Sequence, residues 1–142
     1  MVNETVKELN EFLKGEFMGI HAYEQYIENA EDASVKKTLQ GIQQSHKKHA
    51  MTVAERIQNL GGKAADNVGI TGTIQEGIAA IKGFPKNKVD LIKGAIKGEE
   101  FGSEMMEKFV RGDLDEESKS MIQTILDEHK RHQKLLAEHL EE

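Results

Sequence analysis

Three polar pairs recur at one fixed spacing along the chain: Glu16 with Glu99, His46 with His129, and His49 with His132, each 83 residues apart. Their surroundings repeat with them. Lys14-Gly15-Glu16 returns as Lys97-Gly98-Glu99, and His46-Lys47-Lys48-His49 returns as His129-Lys130-Arg131-His132. Gly19 recurs as Gly102 and Glu24 as Glu107. A duplicated unit narrows the choice of fold, because each half must build the same element pair and bury it against the other.

Within each unit the apolar residues fall at helical spacing. The first segment reads Val6, Leu9, Leu13, Glu16, Ile20, Tyr23, Ile27 and Ala30, a stripe interrupted once by Glu16, with Asn3 placed to cap its start. The second reads Val35, Leu39, Ile42, His46, His49, Val53, Ile57 and Leu60, and Gly61-Gly62 marks a left-handed end. The third runs through Val89, Ile92, Ile96, Glu99, Ser103, Met106 and Val110 to a stop near Gly112. The fourth has a cap at Asp115, Glu116 and Glu117 in the first turn where the helix dipole favours them, and then Ile122, Ile125, His129, His132, Leu136 and Leu140. One proline, no tryptophan and 31% charged residues fit an all-α protein.

The connections set the order of packing. Glu31-Asp32-Ala33-Ser34 is short and carries capping residues, so the first two helices form an antiparallel hairpin. Between the hairpins lies a longer, glycine-richer stretch containing Pro85, long enough to run the length of a bundle and start the third helix parallel to the second. Within it Thr73-Ile74-Gln75-Glu76 matches a capping box, and Ile74, Ile78 and Ile81 predict a short extra helix to about Lys82. The expected architecture is a four-helix bundle of two tandem helical hairpins joined by a long crossover. Residues 1–142 form one domain in this reading, with repeat one over about 3–62, the crossover over about 63–88 and repeat two over about 89–142.

The six repeated polar residues sit where the stripes call for hydrophobes. Residues three apart on a helix share a face, so both imidazoles of each H-x-x-H point at one centre, with Glu16 and Glu99 facing it from the other helices. This is a donor set for a metal ion. Zero cysteines exclude thiolate ligands, disulfides and iron–sulfur clusters, so the donors are nitrogen and oxygen. Imidazole-rich coordination suits iron, zinc, copper, nickel or cobalt better than magnesium or calcium. Tyr23, two turns from Glu16, together with Glu24 and Glu107, are candidates for a supporting role around such a centre. His21 and His139 have no histidine partner in the repeat and read as surface residues; Met105, Met106 and Met121 read as packing.

At these residues the chain resembles the ferritin-like superfamily, in particular rubrerythrin-type proteins and related bacterial ferritin-like four-helix bundles. The resemblance rests on the Gly15-Glu16 and Gly98-Glu99 segments and on His49-Ala50 followed by Leu60-Gly61-Gly62. In that superfamily two helices each give a glutamate and two each give E-x-x-H, together holding two irons. Glu16, His49, Glu99 and His132 match those positions. His46 and His129 stand where the bridging glutamates would be, so this chain has H-x-x-H in place of E-x-x-H. The resemblance implies iron, with two ions per site, and zinc is the chemical alternative. It also implies ferrous oxidation by oxygen or peroxide, an oxidoreductase role in iron handling or the stress response, and an external reductant.

Two other readings share the same residues. A metal-binding protein without turnover needs the same donors, and an apo bundle could pair each histidine with a glutamate as a polar layer that fixes register. The polar layer carries a penalty of several kcal/mol for desolvating ionisable groups, against a total stability of about 5–15 kcal/mol for a typical domain. A net charge of −6 disfavours nucleic acid as a partner, and no apolar run approaches the roughly 20 residues that span a bilayer. The start shows no secretory signal pattern, and a cytoplasmic protein, as a homo-oligomer or alone, is expected.

Overall fold

The structure, a computed structural model, describes residues 2–66, 85–109 and 114–141. Four helices make it up: α1 (Val2–Asn29), α2 (Ala33–Asn59), α3 (Lys88–Phe109) and α4 (Glu116–Glu138). The expected short helix near Lys82 lies outside the described residues.

Local chemistry sets the ends. Asp32 caps α2 by accepting from the Val35 backbone N–H at 3.0 Å, and Asp115 caps α4 by accepting from Ser118 N–H at 2.8 Å. At the other end of α2, Gly61 takes φ +84°, and Gly62 and Gly61 donate to the carbonyls of Ile57 and Gln58, the paired bonds of a Schellman end. Asn3 is not the cap of α1, because the helix already includes Val2 and Asn3 lies inside its first turn. A cap that the repeat does not announce starts α3: Asn87 accepts from Asp90 N–H at 2.9 Å.

Cross-helix contacts fix the directions. Gln43 reaches Glu24 and the Ile20 carbonyl, so α1 and α2 are antiparallel. A Cβ on Gly15 would meet Met106 while one on Gly94 would meet Tyr26, so α1 and α3 are antiparallel as well. Hence α2 and α3 run parallel, the arrangement a long crossover is needed to produce. Thr38 bonds His139 and Arg56 bonds Asp115, which makes α2 and α4 antiparallel.

The core has two apolar clusters. Leu9, Phe12, Leu13, Val53, Ile57, Ile122 and Ile125 belong to one, and Tyr23, Tyr26, Val35, Leu39, Leu91, Ile92 and Leu136 to the other. Between them in sequence, on every helix, fall the six repeated polar residues. The buried face is broader than the stripes predict: Phe12, Tyr26, Leu91, Ala95 and Leu126 are buried too. Val89 is 47% exposed, because α3 turns Leu91 and Ile92 inward instead. His139 is a further correction, buried where its ring bonds Thr38 Oγ1 at 2.8 Å. Among the described residues no helix is long and apolar enough to cross a membrane.

Candidate metal centre

Glu16, His46, His49, Glu99, His129 and His132 are all buried, Glu16 completely. The structure brings all six together at mid-bundle. The four imidazoles pack with ring centroids 5.0–6.3 Å apart, His46 and His129 being the nearest pair. Each occupies a slot where a buried leucine or valine side chain would contribute about 1.5–3 kcal/mol through the hydrophobic effect. The sequence gives up that contribution six times in one layer.

His46 is the hub. Its Nδ1 donates to Glu16 Oε2 at 2.7 Å and its Nε2 to Glu99 Oε1 at 2.8 Å. Carboxylates only accept, so both ring nitrogens carry protons and His46 is an imidazolium in this arrangement. Burial alone would lower its pKa; the charges and hydrogen bonds of Glu16 and Glu99 outweigh burial and raise it to about 10. Burial likewise opposes ionisation of Glu16, but the charge on His46 and contacts with His129, His46 and His49 hold its carboxyl well below the usual range. Glu99 is held down in the same way, against burial, by His132 and His46.

The remaining rings are less well served. His129 Nε2 stands 3.0 Å from Glu16 Oε1, poorly aligned for a hydrogen bond, and its Nδ1 has no partner. His132 Nδ1 is 3.5 Å from Glu99 Oε1 and His49 Nδ1 is 3.8 Å from Glu16 Oε2, both without a hydrogen bond. Burial pushes the His132 pKa down and outweighs the pull of Glu99, which keeps that ring neutral and its lone pair free to donate to a cation. A closed polar layer would pair these buried nitrogens; this one leaves them open.

Two donor groups emerge. Glu16, His46, His49 and His129 offer atoms within 4.8 Å of one another, and so do His46, Glu99 and His132. His46 belongs to both. The residues fit a metal centre of nitrogen and oxygen donors on this count, and on the unpaired ring nitrogens.

Around the six, Tyr23 O–H donates to Glu99 Oε1 at 2.6 Å and its ring packs 5.4 Å from that of His46. The burial of the Tyr23 hydroxyl and the adjacent Glu99 charge raise its pKa well above 10.0 and keep it protonated. Glu24 is not brought to the cluster: it is exposed and accepts from Gln43 at 2.6 Å. Glu107 is half-buried. A residue the sequence reading overlooked is Glu128, whose Oε2 makes a short contact with His49 Nε2 and accepts from Ser45 Oγ at 3.3 Å. Its side chain is 33% exposed, so it links the buried layer to solvent. The available signal was an asymmetry, since the repeat mate of Glu128 is Ser45.

Four antiparallel and parallel helices around a buried His/Glu layer define a ferritin-like four-helix bundle. The chain belongs to the family described as Domain of unknown function (DUF2383), whose model matches residues 4–112. That span holds α1 to α3 and so includes Glu16, His46, His49 and Glu99 but not the second histidine pair. Among solved structures the chain is similar to the bacterioferritin-related protein from Bacteroides fragilis, described as a dodecameric thioferritin. The TM-score is 0.74 at 18% identity, over 99% of this chain and 86% of that one, a likeness of fold. No curated protein matches the chain.

Proposed function

We propose that the protein is a metal-binding ferritin-like bundle whose centre is held by Glu16, His46, His49, Glu99, His129 and His132, with iron as the metal and zinc as the alternative. The observation that carries this is hydrogen-bond accounting. Buried Nδ1 atoms of His49, His129 and His132 are unpaired in a layer flanked by two apolar clusters, and an unsatisfied buried polar atom costs about 1–3 kcal/mol. A bound cation would satisfy these rings together.

His46 presents one nitrogen toward Glu16 and the other toward Glu99. As a ligand a neutral imidazole would coordinate through one of these nitrogens, so a bridge between two ions would come from Glu16 and Glu99 or from solvent instead of the glutamates of E-x-x-H. Two divalent ions facing Glu16 and Glu99 leave a residual charge of +2, and Glu128 at His49 brings that to +1. Tyr23 fixes the Glu99 carboxylate by its hydrogen bond, and the apolar clusters on either side keep water from the layer.

Iron held by Glu16, Glu99 and the four histidines would supply electron transfer to dioxygen or peroxide. The chain holds no cysteine, so the reductant that would return the iron to the ferrous state comes from outside. We place the activity in iron handling or protection from oxidative stress, in the cytoplasm. The dodecameric state of the Bacteroides fragilis protein supports a homo-oligomer for this chain too.

Anaerobic ferrous loading followed by exposure to air tests this reading: the ferrous protein is expected to develop a ferric absorption band. A second reading, metal storage without turnover, is favoured by the replacement of bridging carboxylates with His46 and His129. In that case the metal stays bound while the loaded protein remains colourless in air.

A further inference from the structure

One side of the centre opens into a cavity of about 100 Å³ between α1 and α3. Glycines on both helices line it, Gly15 and Gly19 on α1 and their repeat mates Gly98 and Gly102 on α3; the place of a Cβ on Gly15 is taken by Met106, whose Cε would lie 3.0 Å away, and of the four only Gly102 faces open space. Glycine weakens a helix interior, and the four matched across the duplication let Met106, the His46 ring and the Tyr26 hydroxyl approach the seam while Gly102 leaves it open. A Cβ on Gly102 would meet nothing within 4 Å, and one on Gly19 would sit 3.6 Å from the His46 ring.

The cavity ends on the centre itself. His46, Glu99 and His129 are among its lining residues, and Phe101, 51% exposed, lines it toward solvent. His129 is 1% exposed, and its Nδ1 is without a hydrogen-bond partner. Apart from that ring, the polar atoms that matter are engaged: Tyr23 O–H by Glu99, and both His46 nitrogens by carboxylates. The rest of the wall is glycine, alanine, methionine and aromatic carbon, with the Tyr26 hydroxyl beside Gly98.

Size and polarity narrow the occupant. Engineered apolar cavities of about 150 Å³ stay dry and take up xenon or benzene, so the space here admits a molecule of a few heavy atoms at most. Hydrogen peroxide would shed its hydrogen bonds to water on a wall that returns almost none, whereas dioxygen has none to lose. We propose that this cavity is a binding chamber for an apolar diatomic molecule, dioxygen being the one the centre uses, and that it discriminates against peroxide. The identity of the gas rests on the iron-centre reading above; the existence of the chamber does not.

Xenon serves as the probe, by xenon NMR or by crystals of the full chain under xenon pressure, first without metal. The wild type is expected to hold xenon beside Gly98 and Gly102. Gly102→Leu should abolish that site, while Gly41→Leu, on the exposed face of α2 with nothing within 4 Å of its Cβ, should leave it intact. Gly98→Ala, whose Cβ would lie 3.8 Å from the Tyr26 hydroxyl, is the milder variant should the leucine disturb folding.

In ferrous-loaded protein, Gly102→Leu is expected to slow oxidation by dioxygen about tenfold, equivalent to one decade of rate, at unchanged metal content, with the rate for peroxide altered less than about twofold. No xenon in the wild type, or equal slowing of both oxidants, overturns the proposal. If the chain takes up no metal, the xenon experiment alone decides the chamber, and only the iron reading falls.

Discussion

The two faces of the buried layer differ in kind. Between α1 and α3 the wall is glycine, alanine and methionine around a cavity, and the repeat is kept there: Gly15 answers Gly98 and Gly19 answers Gly102. Between α2 and α4 the wall is ionic. Glu128 contacts His49 and Ser45, and nearer one end Arg56 pairs with Asp115 at 2.7 Å and Glu117 at 3.1 Å. Here the repeat is broken, since Glu128 faces its own mate, Ser45. Duplication alone would make both faces symmetric; the departure places a solvent-linked carboxylate on one side, while the other keeps matched glycines beside His46 and Glu99.

The sharpest way to break that contrast is to remove the residue both sides share. His46→Ala leaves Glu16 and Glu99 buried without their common imidazolium, and the metal-free protein is expected to lose about 3–5 kcal/mol, read by urea denaturation. Metal content should fall with it, because both donor groups include His46. Retention of full stability and full metal content would show that His46 is not the hub.

Glu128→Gln addresses the ionic wall alone. It keeps the shape and removes the charge, and a loss of about 10–100-fold in metal affinity is expected, with folding stability nearly unchanged since the side chain is one-third exposed. An equal loss of affinity from a substitution at the exposed Glu24, which contacts Gln43 instead, would erase the distinction.

Tyr23→Phe probes the opposite side. Removing the hydroxyl takes from Glu99 a charge-assisted hydrogen bond worth about 1.5–3 kcal/mol, so the thermal midpoint of the metal-free protein should drop while its helix content stays the same. No change in the midpoint would mean that the bond contributes nothing.

A pH profile for the metal-free chain tests the same contrast without a substitution. Glu16 and Glu99 have folded pKa values below their ordinary 4.5, so their contribution is complete above 4.5 and fades as pH falls through the folded values. His46 is raised from 6.5 to about 10, so its contribution is complete below 6.5 and is lost as pH climbs toward 10. The lowered pKa of His132 costs stability as pH falls below 6.5, so metal-free stability should be highest near 6.5 and decline on both sides. Metal binding runs the other way on the alkaline side, because the cation displaces protons from the rings. A profile flat from 6.5 to 10 would contradict the imidazolium assignment.

The six central residues were legible in the sequence because each interrupts a hydrophobic stripe at a position that recurs after 83 residues. Antiparallel hairpins and the Asp32, Asp115 and Gly61 ends were legible from turn chemistry. What escaped had no periodic signal. Phe12, Tyr26 and Leu91 are buried because the inward face of a bundle helix is wider than a single file of residues at heptad spacing. His139 lies beyond the last turn of α4, and only the antiparallel pairing of α2 with α4 brings it to Thr38. Glu128 was hidden because a search for repetition passes over the place where repetition fails.

Elemental analysis of full-length protein, purified without chelator or affinity resin, loaded anaerobically with ferrous iron and passed through gel filtration, tests the central claim most directly. One or two irons are expected to be retained per chain, competed by zinc and lost in a Glu16→Ala, Glu99→Ala double variant that stays helical. A wild-type protein that emerges free of both metals, with a thermal midpoint unmoved by either, would contradict it.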